Sequence, residues 1–363
     1  MTLVQTLDTE NIDIIGDVHG EFDALLNLIT ILGYNRNGEH PENRKLVFVG
    51  DLVDRGPDSL SVVYLVEEWI QRGNAYAVLG NHELNLLIPD DDDPSRPSLK
   101  SGNHWFHGLE EDMISSKSER KQPNYKAIIQ KQRLASAEDR ERITRFLLSL
   151  PLALESKHCR IVHSCWHDES IDALRSESKP LMDLYTEYRS KILKMPNNDN
   201  LSLLKQNKNP IKIITSGLEE KLGPTEKPYV TGGKERFTKR SKWWKDYDGE
   251  QYVFFGHYWR TREAQKDLPE ELLHLDDKKN IPPLFEEDTP YAWLNSKSKH
   301  PKCMCIDYSV GRRFWERHNS LNLGSTGTAL AAARIRSTSN SLSISLVFDD
   351  GFQKDISPKT DFE

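Results

Sequence analysis

Asp17 with His19, Asp51, Asn81 with His82, His163 and His257 share one setting, because each group stands at the end of a short apolar run. IDIIG leads to Asp17, KLVFVG to Asp51, AYAVLG to Asn81, RIV to His163 and YVFFG to His257. Neutral imidazoles, carboxylates and an amide oxygen, with no thiolate among them, suit borderline or hard divalent ions: manganese first, with iron or zinc as alternatives. Two such ions can be held together only if a ligand bridges them, and a carboxylate has the two oxygens to do so. A cation pair lowers the pKa of a shared water and neutralises the oxygens of an incoming phosphoryl group. The donor set therefore predicts a hydrolytic site built on two divalent ions.

Donors so far apart in the chain converge only if the strands that carry them lie side by side. IDII (12–15) and KLVFVG (45–50) read as strands, and FDALLNLITIL (22–32) between them reads as a helix stopped by Gly33. SLSVVYLVEEWIQRG (59–73) reads as a second helix, capped by Ser59 and ended by Gly73, before the strand AYAVLG (75–80). This rhythm implies βαβ units and a largely parallel sheet, in which ligands bind beyond the carboxyl ends of the strands. After Glu83 the rhythm breaks. DDDD (90–93) followed by PSRP reads as a solvated loop and lacks the Gly and Glu spacing of a calcium loop. Residues 123–149 look helical, HCRIVH (158–163) and QYVFFG (251–256) look like strands, and 165–250 is the least patterned stretch. KCMCID, GTALAAARIR and SLSISLVF suggest a C-terminal run of strands.

The fold expected is α/β, with central β-sheets flanked by helices. A length of 363 residues exceeds the roughly 250–300 at which a single core stops growing. We therefore expect one domain over 1–363 with insertions at about 88–150 and 165–250. The composition is 37% hydrophobic and 29% charged, and the net charge of -7 argues against a general polyanion binder. The N-terminus lacks the pattern of a secretory signal, and no apolar stretch approaches the ~20 residues that cross a bilayer, so no membrane partner is expected. Four cysteines in a chain this long do not make a disulfide framework. The expected compartment is the cytoplasm.

GDVHG (16–20), GDLVDRG (50–56) and GNHE (80–83) resemble the three signature motifs of the phosphoprotein phosphatase (PPP) branch of the calcineurin-like metallophosphoesterases. That branch also contains the symmetrical bis(5′-nucleosyl)-tetraphosphatases. LGYNRNG (32–38) and RKLVFVGDLVDRGPDSL (44–60) resemble the bacterial tetraphosphatase-like members more than the eukaryotic protein phosphatases. The resemblance covers residues 11–87 well, then only islands such as VHS (162–164) and FGH (255–257). It implies an α/β/β/α sandwich with cap-like inserted segments. It also implies that Asp17 and His19 bind the first metal, that Asp51 bridges, and that Asn81, His163 and His257 complete the second. His82, paired with Asp54, would protonate the leaving oxygen rather than bind metal, and Arg55 would grip the phosphate through its planar fork.

Duller explanations exist for each residue. Asp54 and Arg55 taken alone read as a surface ion pair in a turn, and His163 and His257 as core histidines. His104, His107, His158, His167 and His318 have no comparable setting, and the acidic neighbours of His167 suggest an exposed loop. Trp166, in the departure SCWHDES (164–170), either walls the pocket or fills core. The second phosphate-gripping arginine of protein phosphatases cannot be aligned by motif. KERFTKRSKWWK (234–245), with six basic residues against one acidic, offers Arg236, Arg240 or Lys242 as that cation. Trp243 and Trp244 would then be a stacking surface, or else simply buried.

The leading function is hydrolysis of phosphate monoesters, on phosphorylated protein or a small phosphorylated metabolite, by in-line attack of metal-bound hydroxide. A symmetrical dinucleoside polyphosphate hydrolase is the closest alternative. An RNA-end phosphatase rests only on the basic segment, which leaves nucleic acid open as a partner. A non-catalytic binding module would have lost a ligand or His82, and none is lost.

Overall fold

The computed structural model describes residues 2–89, 102–107, 132–195, 200–231, 234–262, 284–285, 290–294, 297, 300–337 and 342–358. The acidic loop at 90–93 and most of the first half of the helical expectation over 123–149 lie outside them.

The first strand, β1 (Val4–Thr6), precedes β2 (Ile12–Ile15), α1 (Phe22–Leu32), β3 (Lys45–Phe48), α2 (Ser59–Gln71), β4 (Ala75–Ala77) and α3 (Asn81–Leu87). A helical turn α4 (His104–His107), α5 (Ala137–Leu148), β5 (Ala153–Glu155) and β6 (Cys159–Val162) follow. Next come α6 (Asp168–Arg175), α7 (Leu181–Leu193), α8 (Leu201–Asn207), α9 (Pro210–Ser216), β7 (Glu219–Lys221), β8 (Tyr229–Thr231), β9 (Lys234–Arg236) and β10 (Thr238–Arg240). The chain closes with β11 (Tyr252–Phe255), β12 (Cys303–Cys305), α10 (Arg313–His318), β13 (Ala331–Ser337), β14 (Leu342–Phe348) and β15 (Gln353–Asp355).

Two larger sheets result. One has the order β15-β14-β13-β2-β3-β4 and the other β1-β5-β6-β11-β12. The β2, β3 and β4 strands are parallel, as are β6, β11 and β12, whereas β13 adds antiparallel to β2. The period of two along each strand decides which side chains meet. Val47 and Val49 of the first sheet share an apolar cluster with Ile161, Phe254 and Met304 of the second, so these faces pack on each other. Leu46 and Phe48 point the other way, into the cluster that holds Leu25, Leu28 and Ile29 of α1 and Val63, Val66 and Trp69 of α2. Val253, Phe255, Cys303 and Cys305 join that second cluster with Ile214 of α9. The layers run helix, sheet, sheet, helix, as expected. All four cysteines are free and buried.

Local stops and starts follow side-chain chemistry. Gly33, at φ 88, ends α1 in the left-handed conformation that glycine adopts without steric cost. The cap of α2 is Asp58 rather than Ser59, with the Asp58 carboxylate accepting from Ser61 N at 3.0 Å. Ser59 is the first helical residue, and its hydroxyl instead accepts from Asp54 N at 2.9 Å. The first part of the stretch over 165–250 carries four helices, α6 to α9, despite its weak pattern, and β7 to β10 follow. His167 caps α6 in place of an exposed loop, with Nδ1 2.9 Å from Ser170 Oγ.

Behind the first sheet, Asp13 of β2 is buried with Arg44, and the half-buried Arg334 closes over it. Arg44 Nε donates to Asp13 Oδ2 at 2.9 Å, Arg334 Nε to Asp13 Oδ1 at 2.9 Å and Tyr34 Oη to Asp13 Oδ2 at 2.7 Å. Burial opposes the Asp13 charge, but Arg334 and Arg44 hold its carboxyl below the usual range. Breaking one side of such a network leaves a buried charge short of partners. Arg44→Met is expected to cost about 3 kcal/mol, read as a lower urea midpoint at an unchanged slope.

Candidate metal centre

Each sequence-derived donor stands just beyond a strand, and strand adjacency brings them together. Asp17 and His19 follow β2, Asp51 follows β3, Asn81 and His82 follow β4, His163 follows β6 and His257 follows β11. Two groups of three possible ligands form among the described residues, His19–Asp51–His82 and Asp51–His163–His257, each with its ligand atoms within 4.8 Å of one another. Asp51 belongs to both. Its Oδ2 lies 3.7 Å from His19 Nε2, and its Oδ1 lies 3.3 Å from His163 Nε2. Asn81 Oδ1 is 3.0 Å from His163 Nε2 and 2.6 Å from His257 Nδ1. Asp17 Oδ2 is 3.9 Å from His19 Nε2.

The ring tautomers suit ligation. His19 Nδ1 faces the carbonyl of Val53 at 3.0 Å and His163 Nδ1 that of Val49 at 2.9 Å, so each donates its proton there. Both Nε2 lone pairs then point into the cluster, an orientation fixed by an outer hydrogen bond as in protein metal sites generally. Burial first, then Arg55 and His82, holds the His19 ring well below its usual pKa. Burial, then Arg240 and His163, does the same to His257. In both rings burial thus favours the neutral form, the one that binds metal.

Backbone strain marks the same place. Of the non-glycine residues with positive φ, His19, Asp51, Asp54, Arg55 and His257 all belong to this cluster. Such conformations cost energy and concentrate where side chains must be aimed. Two glycines are there because nothing larger fits. A Cβ on Gly256 would sit 1.8 Å from Asp17 Oδ1, and one on Gly80 would sit 2.3 Å from Asp51 Oδ1. The final residue of GNHE has a structural part. Glu83 Oε2 accepts from Asp51 N and Gly80 N at 2.9 Å each, and Oε1 accepts from Leu52 N at 2.7 Å, which holds the Asp51 turn in place.

Asp307 went unread in the sequence, although KCMCID repeats the signal of an apolar run ended by an acid. It follows β12, the strand beside β11. It is 1% exposed, and its Oδ1 accepts from Ser309 N at 2.8 Å while its Oδ2 is buried without a hydrogen-bond partner. Burial first, then the charges of Asp307 and Asp51, pushes the Asp17 carboxyl well up. Buried carboxylates crowded together with one orphaned oxygen call for positive charge, and neutral imidazoles and an amide oxygen complete a donor set for divalent cations. The residues fit a pair of metal ions.

His82 and Asp54 form a tight pair, with Nδ1 to Oδ2 at 2.6 Å. Arg55 spans the two imidazoles nearest it, with one nitrogen 2.9 Å from His19 Nε2 and another 3.1 Å from His82 Nε2. The Arg55 guanidinium also lies 4.6 Å from the centre of the Trp259 ring. Of the basic segment, Arg240 reaches the site, donating to the His257 carbonyl at 3.1 Å. Arg236 is exposed on β9, and no described hydrogen bond or ion pair ties it to the cluster. Trp243 and Trp244 are buried against Phe255 and are core, not a stacking surface. Trp166 is likewise buried, 3% exposed, beneath Arg160.

A two-sheet sandwich with these motifs at one edge defines the class. The chain belongs to the calcineurin-like phosphoesterase family, whose model matches residues 11–260. It is similar to the asymmetrical bis(5′-nucleosyl)-tetraphosphatase PrpE of Halalkalibacterium halodurans, at 55% identity over 73 residues, 19% of this chain and 30% of that protein. PrpE of Oceanobacillus iheyensis is 51% identical over 74 residues, 20% of this chain and 30% of that protein. The chain thus spans about 30% of the length of these curated relatives. Their printed name is asymmetrical, where the motifs had suggested the symmetrical enzymes. Among solved structures, a cold-active protein-tyrosine phosphatase of a Shewanella species is 15% identical, covering 98% of this chain and 83% of that one, with a TM-score of 0.47. A serine/threonine phosphatase of Saccharomyces cerevisiae is also 15% identical, covering 98% and 86%, with a TM-score of 0.43. Scores this low carry no argument about chemistry. Among the described residues, no helix is long and apolar enough to cross a membrane.

Proposed function

We propose that the chain is a phosphohydrolase that uses two divalent cations, manganese being the best match, to cleave phosphate monoesters. The observation that carries this reading is the posture of Asp51, whose two oxygens face separate imidazole groups 3.7 and 3.3 Å away. In this reading Asp17, His19 and Asp51 hold one ion, and Asp51, Asn81, His163 and His257 hold the other. When bound, the ions supply an acidified water and positive charge for the phosphoryl oxygens.

The remaining residues act on the substrate. Arg55 and Arg240 bind and orient the phosphate, Arg55 exchanging its contacts with His19 and His82 for phosphoryl oxygens. Distance alone would admit His82 as a ligand. Its 2.6 Å contact with Asp54 suits a proton carrier better, with Nδ1–H held by the carboxylate and Nε2 handing a proton to the departing oxygen. Asp54 fixes the ring orientation that this transfer needs.

A second reading, hydrolysis of a dinucleoside polyphosphate, is favoured by the names of the relatives at 50–55% identity. Their likeness covers 73 or 74 residues, about a fifth of this chain, and substrate choice rests on loops that differ between proteins sharing a fold. A panel of an alkyl phosphate, phosphopeptides and diadenosine tetraphosphate, run with each divalent ion restored to chelated protein, separates the two. Release of inorganic phosphate from monoesters at the highest kcat/KM is the expected result. Two ADP from the tetraphosphate would mark a symmetrical cut and ATP plus AMP an asymmetrical one; either at a higher kcat/KM favours the second reading. No turnover of any of them with any ion would refute both.

A further inference from the structure

The Asp54–His82 pair has a third member outside the shared motifs. Trp105, on the helical turn α4, is 1% exposed, and its indole N–H donates to Asp54 Oδ1 at 2.7 Å. Asp54 is itself fully buried, and its other oxygen carries His82 Nδ1 at 2.6 Å. The two oxygens of one carboxylate are thus held from opposite sides, and the backbone N–H of Asp54 is tied to Ser59 Oγ.

The segment bearing Trp105 is anchored on the Asp54–Pro57 turn at several points. Gln132 Nε2 donates to the carbonyls of both Gly56 and Gly102, at 3.3 and 3.1 Å. Arg133 N donates to Pro57 O at 3.0 Å, and Ala135 N to Trp105 O at 2.8 Å. Gly102, at φ 101, lies so near Arg55 that a Cβ there would sit 3.1 Å from Arg55 N. His104 and His107 flank Trp105 and feel the Asp54 charge, yet burial pushes both down to about 4. They are neutral at pH 7 and offer no cation to compete for the carboxylate.

We infer that Trp105 is a positioning residue, whose indole holds the far oxygen of Asp54 so that the near oxygen keeps the His82 ring aimed at the leaving group. The inference rests on the reading of His82 as the proton donor. A buried carboxylate that loses one of two donors has no water to replace it, so the carboxylate rotates or repairs its loss at the expense of His82. Outer hydrogen-bond partners of metal ligands typically carry 10- to 100-fold effects, and an effect of the same order is expected for a partner of the carboxylate that orients a proton donor.

The test uses the full chain loaded with manganese. Trp105→Phe, which keeps an aromatic ring and removes the donor, is expected to lower kcat on an alkyl phosphate by about 10- to 100-fold. Metal content and turnover of p-nitrophenyl phosphate, whose leaving group needs no proton, stay near wild type. The Asp54→Asn/Trp105→Phe double variant is expected to be no slower than Asp54→Asn alone, because a residue acting through Asp54 has nothing further to lose. With diamagnetic zinc in place of manganese, whose unpaired electrons would broaden the signal, and no other substitution, the indole proton resonance of Trp105 is expected to move upfield on Asp54→Asn, a readout that survives even if Trp105→Phe does not fold. Equal losses on both substrates, additive losses in the double variant, or an unmoved indole resonance each overturn the inference. If His82→Ala itself fails to discriminate leaving groups, the reading of His82 falls, while the resonance shift and the double variant still decide whether Trp105 acts through Asp54.

Discussion

Asp51→Asn is expected to leave a folded protein that retains less than two manganese ions per chain and loses turnover on the order of 10⁴-fold, equivalent to roughly 5 kcal/mol. The substitution keeps the size of the side chain but removes its charge and one acceptor. An amide can still accept from His82 N, as Oδ1 does now at 2.9 Å, and its NH2 group then takes the place of Oδ2 and faces the nitrogen of His19 instead of a shared ion. The turn itself survives, because Glu83 holds the backbone N–H of Asp51 and not its carboxylate. Burial opposes the Asp51 charge, but the imidazoles of His163 and then His82 hold its carboxyl well below the usual range. The site is therefore built around that negative charge. Metal content by mass spectrometry after exhaustive dialysis, alongside thermal melting, checks the expectation. Two ions per chain and wild-type turnover in Asp51→Asn would remove the bridging role.

His82→Ala separates substrates instead of abolishing metal binding. Loss of a positioned proton donor typically costs 10²- to 10⁴-fold, so an alkyl phosphate is expected to be turned over about 10³-fold more slowly. An activated aryl phosphate, whose departing oxygen is stable without a proton, should lose about tenfold or less. Since His82 Nε2 lies 3.9 Å from Asp51 Oδ2, metal content must be measured in the same samples. Retained ions with a leaving-group-dependent loss identify a proton donor. Loss of an ion with equal slowing on both substrates would make His82 a ligand instead.

Much of this site was visible in residues adjacent in sequence. A short, almost continuously buried strand followed by a polar donor is a local pattern. Asp307 carried the same signal, a buried run followed by an acid, but no surrounding motif drew attention to it. The helices between 165 and 250 were hard to read for a physical reason. Three of the four are short, and α8 has no buried residue, so the apolar stripe that reveals an amphipathic helix is thin there. The indole choices were also invisible. Whether Trp243 and Trp244 face solvent or Phe255 depends on where a distant strand lies, and composition does not fix that.

Residue types and their spacing determined the chemistry on offer here: which donors stand at strand ends, that they suit hard or borderline cations, and that an acid–imidazole pair accompanies them. Only the folded chain decided which oxygen of Asp51 meets which imidazole, that Arg240 and not Arg236 reaches the site, and that Trp105 closes over Asp54 from 51 positions away. Strand ends and turns are dictated by neighbours a few bonds apart. Contacts across tens or hundreds of residues are selected by the packing of whole layers, a sum of many small terms that no short stretch of sequence contains.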